Sequence, residues 1–253
     1  AGDATFTNRG GQTSIIGVGV TQFHDSSTAE RASFINYGGA VKGPPGGPAL
    51  GGAAKFYDRS TAGRANFTNY GGTISVANGG LAEFWNDSTA GGATFTLNPG
   101  VVNGGEAAFL DNASADRATF IANPATIGLR GGGFIVFLRS STAGQATFII
   151  NGATNGGRGG FVAFDETSTG GTARFILSGN GTLSITAHDA PGLSVGSIEG
   201  DGTIWLGNRK LTVISDTRNT VFSGKIEEAP FVGGSFAKDG QATLTLTGRN
   251  TYT

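Results

Sequence analysis

The chain has 253 residues, of which 46 are glycine against an ordinary share of about 7%, and it contains neither cysteine nor methionine. Disulfides, thiolate metal sites and cysteine nucleophiles are therefore excluded, and a net charge of -1 from 17 basic and 18 acidic side chains gives no electrostatic footprint for nucleic acid or an anionic membrane. No apolar run approaches the roughly 18 residues of a membrane span, so this segment reads as having none.

The first residues, Ala1-Gly2-Asp3, lack Met and any basic region followed by an apolar stretch, which reads as a processed or excised piece. From Phe6 onward the chain repeats itself. Six pairs of phenylalanines are each separated by eleven residues: Phe23 and Phe34, Phe56 and Phe67, Phe84 and Phe95, Phe109 and Phe120, Phe137 and Phe148, Phe164 and Phe175. A polar segment such as Ser60-Thr61-Ala62-Gly63 or Ser141-Thr142-Ala143-Gly144 lies between the members of a pair. The second members, counted from Phe6, recur at intervals of 28, 33, 28, 25, 28 and 27 residues. The interval of 33 contains Gly43-Pro44-Pro45-Gly46-Gly47-Pro48, which predicts a loop inserted at one corner of one coil.

Within a copy the apolar pattern has period two, as in Ala93-Thr94-Phe95-Thr96, so the elements are strands. Three strands per copy are predicted, for example Thr73–Val76, Leu81–Trp85 and Ala93–Leu97, each bounded by Gly, Asn, Asp or Ser. The fold class that follows is all-β: a three-sided parallel β-helix, or β-solenoid, with coils of about 28 residues. Its interior would be a ladder of Phe6, Phe23, Phe34, Phe56, Phe67, Phe84, Phe95, Phe109, Phe120, Phe137, Phe148, Phe164 and Phe175 stacked at the strand spacing of about 4.8 Å. Beyond about residue 178 the alternations shorten, as in Leu183-Ser184-Ile185 and Leu211-Thr212-Val213. Residues 1–177 are thus read as Phe-ladder coils and 178–253 as smaller coils continuing the same solenoid.

Several chemical readings compete with structural ones. Gly192-Leu193-Ser194-Val195-Gly196, with His188 and Asp189 upstream, matches the spacing of a hydrolase nucleophile elbow, but that elbow needs a strand turning into a helix and no helical period follows. The positions two after each first phenylalanine, Asp25, Asp58, Asn86, Asp111, Arg139 and Glu166, form the candidate row for acid–base work on a polysaccharide. Stacked carboxylates would repel, so a solvated turn ladder is the favoured reading. His24 and His188 are the only histidines and lie far apart, which leaves no metal site and no cofactor. Asn8, Asn36 and Asn69, then Asn98, Asn123 and Asn151, are expected to form corner ladders. Trp85 should point outward beside Phe84. Thr94, Thr96, Thr119, Ile121, Thr147 and Ile149 would make a flat outer Thr/Ile strip, interrupted by Arg174, Asn66 and Ile35.

The last third resembles the autotransporter-associated β-strand repeat of Gram-negative autotransporter passengers. The residues that carry the likeness are Gly196-Ser197-Ile198-Glu199-Gly200-Asp201-Gly202, Leu211-Thr212-Val213, Phe222-Ser223-Gly224-Lys225-Ile226 and the run from Gly234-Ser235-Phe236-Ala237-Lys238 to Thr253. The resemblance implies a right-handed parallel β-helix, export through the outer membrane, and display at the bacterial cell surface or release to the outside. The family's terminal translocator barrel has no counterpart here, which reads as a fragment of something longer. The function expected is that of a non-catalytic structural or adhesin-like passenger segment, not an enzyme. Alternatives are a self-assembling extracellular filament or ice-binding solenoid, and a polysaccharide-active β-helix enzyme. Candidate partners are a second copy, through the solenoid ends or the Thr/Ile strip, and a host or matrix glycan or protein.

Overall fold

The computed structural model describes residues 1–11, 17–41, 47, 49–126, 129, 131–154, 156–215, 217–228 and 231–252. The predicted insertion at 43–48 lies outside the described residues apart from Gly47. Among these residues every strand pairs in parallel with the equivalent strand of the next coil, as a β-solenoid requires. Ten strands, from Thr5–Asn8 to Leu244–Leu246, form sheet A, and nine, from Val20–Phe23 to Lys225–Glu227, form sheet B. A third sheet, C, contains only Gly192–Val195, Lys210–Val213 and Ser235–Lys238.

Alternation decides which side chains enter the coil. In Thr94–Leu97 the ring of Phe95 points in while Thr94 and Thr96 point out, and all the phenylalanines of the row sit in register, as in Phe67↔Phe95↔Phe120↔Phe148. Two ladders result. Phe6 to Phe175 rise on sheet A and Phe23 to Phe164 on sheet B, with centroids 4.5–5.0 Å apart and planes within 10° along each ladder. Between ladders the rings meet edge to face at 5.7–6.5 Å, the arrangement their quadrupoles favour. Inner rings are fully buried, whereas Phe23 and Phe6 at the first coil are less so.

The third side of these coils is filled by alanine. Ala29, Ala62, Ala90, Ala115 and Ala143 stack in one row, Ala32 to Ala173 in another, all without solvent exposure. The chain between a sheet-B strand and the following sheet-A strand is nine residues long in all six copies, for instance between Phe84 and Thr94, which fixes the eleven-residue step. Its β-bridges to its copies are single ones, Thr28↔Thr61↔Thr89↔Ser114↔Thr142↔Thr169, flanked by separate backbone hydrogen bonds such as that from the Arg59 amide to the Asp25 carbonyl at 2.9 Å. The return from sheet A to sheet B varies instead, from 16 residues between Asn36 and Ala53 to 8 between Leu97 and Glu106.

That variation corrects one expectation. Thr73–Val76 is a bend and turn, not a strand: the Ala77 amide donates back to Ile74 at 3.1 Å, and only Ala77 itself bridges, to Ala49. A ladder needs equal lengths in neighbouring coils, and this connection has none. Beyond Leu177 the coils shorten, to 21 residues from Phe161 to its partner Thr182 and 24 from Thr220 to Leu244. Sheets A and B run on without a break, because Arg174–Leu177 pairs with Ser197–Gly200 and Phe161–Phe164 with Thr182–Ser184.

Candidate functional site

The row raised as a carboxylate candidate, and favoured as a turn ladder, is a backbone device. Asp25, Asp58, Asn86, Asp111, Arg139 and Glu166 all take left-handed φ between 54° and 58° at the corner leaving sheet B. Such a turn leaves an amide pointing along the solenoid axis, and the side chain one coil onward receives it. The Asp25 amide donates to Asp58 at 3.0 Å, that of Asp58 to Asn86 at 3.1 Å, that of Asn86 to Asp111 at 3.2 Å and that of Arg139 to Glu166 at 2.6 Å. The Arg139 guanidinium also pairs with Asp111 and holds its carboxyl below the usual range. Repulsion is relieved by amides, by Asn86 and by Arg139 together.

The other sequence candidates are also accounted for by local structure. Gly192–Val195 is a strand with Ser194 pointing outward, and both ring nitrogens of buried His188 face carbonyl oxygens, Asp189 at 2.7 Å and Ser168 at 2.6 Å. Neither residue is joined to the other by a hydrogen bond. His24 stacks on Tyr57 at 4.8 Å, and no group of three metal-binding side chains exists among the described residues. Asn8, Asn36 and Asn69 form a buried ladder, each amide donating 2.8 Å to the next, and Asn69 ends it on the Glu106 carbonyl at 2.6 Å. Asn123 and Asn151 continue outside it, joined to Asn98 and to each other. The Thr/Ile strip lies on the outer face of sheet A, with Thr68, Thr96, Ile121, Ile149 and Ile176 in register and half-buried, until Arg174 pairs with Glu199 of the next coil.

The site with the shape of a ligand cleft lies elsewhere, on the outer face of sheet B. The variable connections from sheet A project beyond this face and return through glycine pairs, Gly51-Gly52, Gly79-Gly80, Gly104-Gly105, Gly132-Gly133 and Gly159-Gly160. Glycine is required there because the chain passes against its own neighbours: a Cβ on Gly79 would collide with the Gly104 carbonyl, and one on Gly80 with the Asn36 carbonyl. The projecting loops wall a groove of about 1050 Å³ that touches every sheet-B strand from Val20 to Glu227. Nine strands at the parallel spacing make it about 38 Å long.

Two outward columns run along this face, the first lining the groove throughout and the second only towards its two ends, through Lys55, Trp205 and Glu227. One runs Leu81, Glu106, Phe134, Phe161, Thr182, Thr203; the other Glu83, Ala108, Val136, Ala163, Ser184, Trp205. Ala108, Val136 and Ala163 are buried although they point away from the core, because Phe134 and Phe161 cover one flank and Leu110 and Leu138 the other. Phe134 and Phe161 stack at 5.7 Å, splayed by 26°, and Trp205 meets Phe161 edge-on at 5.8 Å while 38% exposed.

A polar cluster occupies the other half. Lys55 Nζ lies 2.7 Å from Glu83 Oε2, and the Trp85 indole donates to the same oxygen at 3.4 Å. Burial would lower the Lys55 ammonium, but the Glu83 carboxylate more than compensates and its pKa is raised. Glu106, diagonal to Glu83 across neighbouring strands, has no ion pair or side-chain hydrogen bond among the described residues. Burial, with a smaller contribution from Glu83, pushes its carboxyl up to about 7. Two carboxyl groups side by side therefore stand in unlike surroundings, Glu83 ion-paired with Lys55 and Glu106 unpaired and half protonated at neutral pH.

The phenylalanine ladder, the corner row and the strip all stand where the repeat places them, whereas the groove residues escape sequence reading. Period two assigns them, since Lys55, Glu83 and Val136 each precede an inward phenylalanine by one residue, but their identities change from coil to coil. The glycine pair recurring before five consecutive sheet-B strands was the signal for the wall. Comparison of the chain with protein-family models, with curated proteins and with solved structures finds no match.

Proposed function

We propose that the chain is a non-catalytic, adhesin-like structural segment of a surface-displayed or secreted Gram-negative autotransporter passenger, a rod whose lateral groove presents a binding face. The observation that supports it best is the corner row: the side chains most suggestive of catalysis are spent on amides of the adjoining coil, as rod construction needs. The resemblance over residues 178–253 supplies the export route, and two unbroken sheets supply stiffness along the axis. Association of copies end to end, through the outer strands of the terminal coils, or sideways through the Thr/Ile strip, belongs to the same reading. Placed between a signal peptide and an autotransporter barrel, the chain should become accessible to protease on intact cells. Retention in the periplasm would sink the proposal.

A second reading is favoured by one observation. Glu106, its carboxyl pushed up to about 7, beside Glu83, paired with Lys55, gives two carboxyl groups in unlike surroundings, as an acid–base pair for hydrolysis of a glycosidic bond needs. Release of reducing ends from a polysaccharide, lost in Glu106→Gln, would replace the non-catalytic assignment with this one.

A further inference from the structure

We infer that the sheet-B groove binds an extended, uncharged polysaccharide chain lying parallel to the solenoid axis, with its sugar rings on Phe134, Phe161 and Trp205 and its hydroxyls on Lys55 and Glu106. The inference deepens the adhesin reading and rests on it for the premise that the groove serves binding. Three features of the groove select this occupant.

The first is its repeat. The lining positions, though not the residues that fill them, recur once per coil, about every 4.8 Å, close to the advance of one pyranose ring along an extended chain. A peptide strand advances about 3.3 Å per residue and a helix about 1.5 Å, so neither would meet equivalent positions coil after coil. The second is the hydrogen-bonding state of the backbone. Every strand of sheet B except the two outermost is paired on both edges, so the groove offers no free ladder to which a polypeptide could add. Side chains alone must recognise the ligand. The third is charge. Lys55, Arg158 and Lys225 line the groove with Glu106 and Glu227, and Lys55 is already paired with Glu83 beside it, so the charge left to attract a polyanion is small. Aromatic faces with a few convergent polar groups then suit a ligand that has apolar ring faces and hydroxyl edges.

The whole chain would be titrated calorimetrically with neutral hexose oligosaccharides of two to about eight units, with polyuronate oligomers of equal length and with unrelated peptides. The expected result is binding of at least one neutral series, tightening with length until the groove of about 38 Å is filled. Trp205→Ala should weaken it about tenfold or more, while Thr96→Ala on the opposite sheet leaves it unchanged. Circular dichroism and melting of both variants establish that they fold. Absence of binding to every neutral series at millimolar concentration, tighter binding of polyuronates or of peptides, or equal effects of the two variants would overturn the inference. Binding without new reducing ends leaves both this inference and the adhesin reading standing. Binding with cleavage keeps the groove's ligand and removes the non-catalytic assignment, whereas surface display without binding does the reverse.

Discussion

The first six coils and the last three solve the same packing problem in opposite ways. In the first region two sides contribute phenylalanine and the third only small residues, alanine and serine, so the third side is a nine-residue corner whose β-bridges are single. In the second, Leu183, Ile198, Ile204, Leu206, Leu193, Val195, Leu211 and Val213 share the interior among three sides, and the third side widens into sheet C. The return from sheet A shrinks in compensation to two residues, Asp201-Gly202 and then Ser223-Gly224. A fixed cross-section can be filled by two large side chains and a small one or by three of middle size, and side-chain volume selects which corner stays tight. The groove follows from that choice, because only the first arrangement leaves long connections free to wall it.

The comparison breaks most visibly where a ring is lost. Phe120 stacks on Phe95 at 4.6 Å and Phe148 at 5.0 Å and meets Phe109 edge-on at 5.7 Å, so Phe120→Ala empties a fully enclosed space. A cost of about 3–5 kcal/mol is expected in urea denaturation. Phe6→Ala at the half-buried first coil should cost clearly less, since the space left opens to solvent. Equal costs at the two positions would mean that the ladder does not act as an enclosed core.

The groove wall sharpens the contrast through pH. Glu106 sits beneath the long connections, whereas Lys225, in the same column beyond the last of them, is exposed. The folded chain keeps the Glu106 proton up to about pH 7, and the unfolded chain releases it near 4.5. The native state thus binds more protons in that window, and stability falls as pH rises through it, by on the order of 2–3 kcal/mol. Glu106→Gln should remove this dependence and leave a protein more stable than the parent at pH 8. An unchanged pH profile in that variant would contradict the buried, unpaired state of the carboxyl.

The seam between regions offers a smaller effect. Gly170 interrupts the alanine row at the coil below sheet C, where a Cβ would strike the Ser194 carbonyl and lie 2.7 Å from Val195 Cγ1. Gly170→Ala restores the row of the first region beneath the wider side of the second. Overpacking of about 1–3 kcal/mol should follow, and Val195→Ala in the same chain should recover part of it, measured as a double-mutant cycle.

Most of the architecture was legible because it is periodic. The eleven-residue step is the constant corner between sheets B and A, and the 28-residue interval is the coil itself. Thr73–Val76 was misread because β-propensity and flanking glycines carry no information about whether a neighbouring coil has an equal length to pair with. The groove was less legible for a related reason. Its aromatic and acidic residues occupy non-repeating places within repeating columns, and loop-dependent burial, which sets Glu106 apart from Lys55 and Glu83, is not written in local sequence.

The smallest effect tests the corner that belongs to the first region alone. After each Thr or Ser bridge the chain needs a second left-handed residue, supplied by Gly63, Gly91, Gly144 and Gly171 but by Glu30 and Asp116 in two coils, at φ 56° and 48°. A residue with a Cβ meets its own backbone there, at a cost of order 1 kcal/mol, which glycine avoids while losing more chain entropy on folding. Asp116 contributes little to offset this strain, since its carboxylate lies 3.9 Å from an exposed Arg117. Its amide bond to Ser114 Oγ survives any substitution except proline. Asp116→Gly should therefore raise stability by about 0.5–1 kcal/mol, read as a higher urea midpoint at unchanged slope. A loss instead would mean that the left-handed corner is set by side-chain hydrogen bonding, as in the neighbouring row of Asp58 and Asp111, and not by backbone sterics.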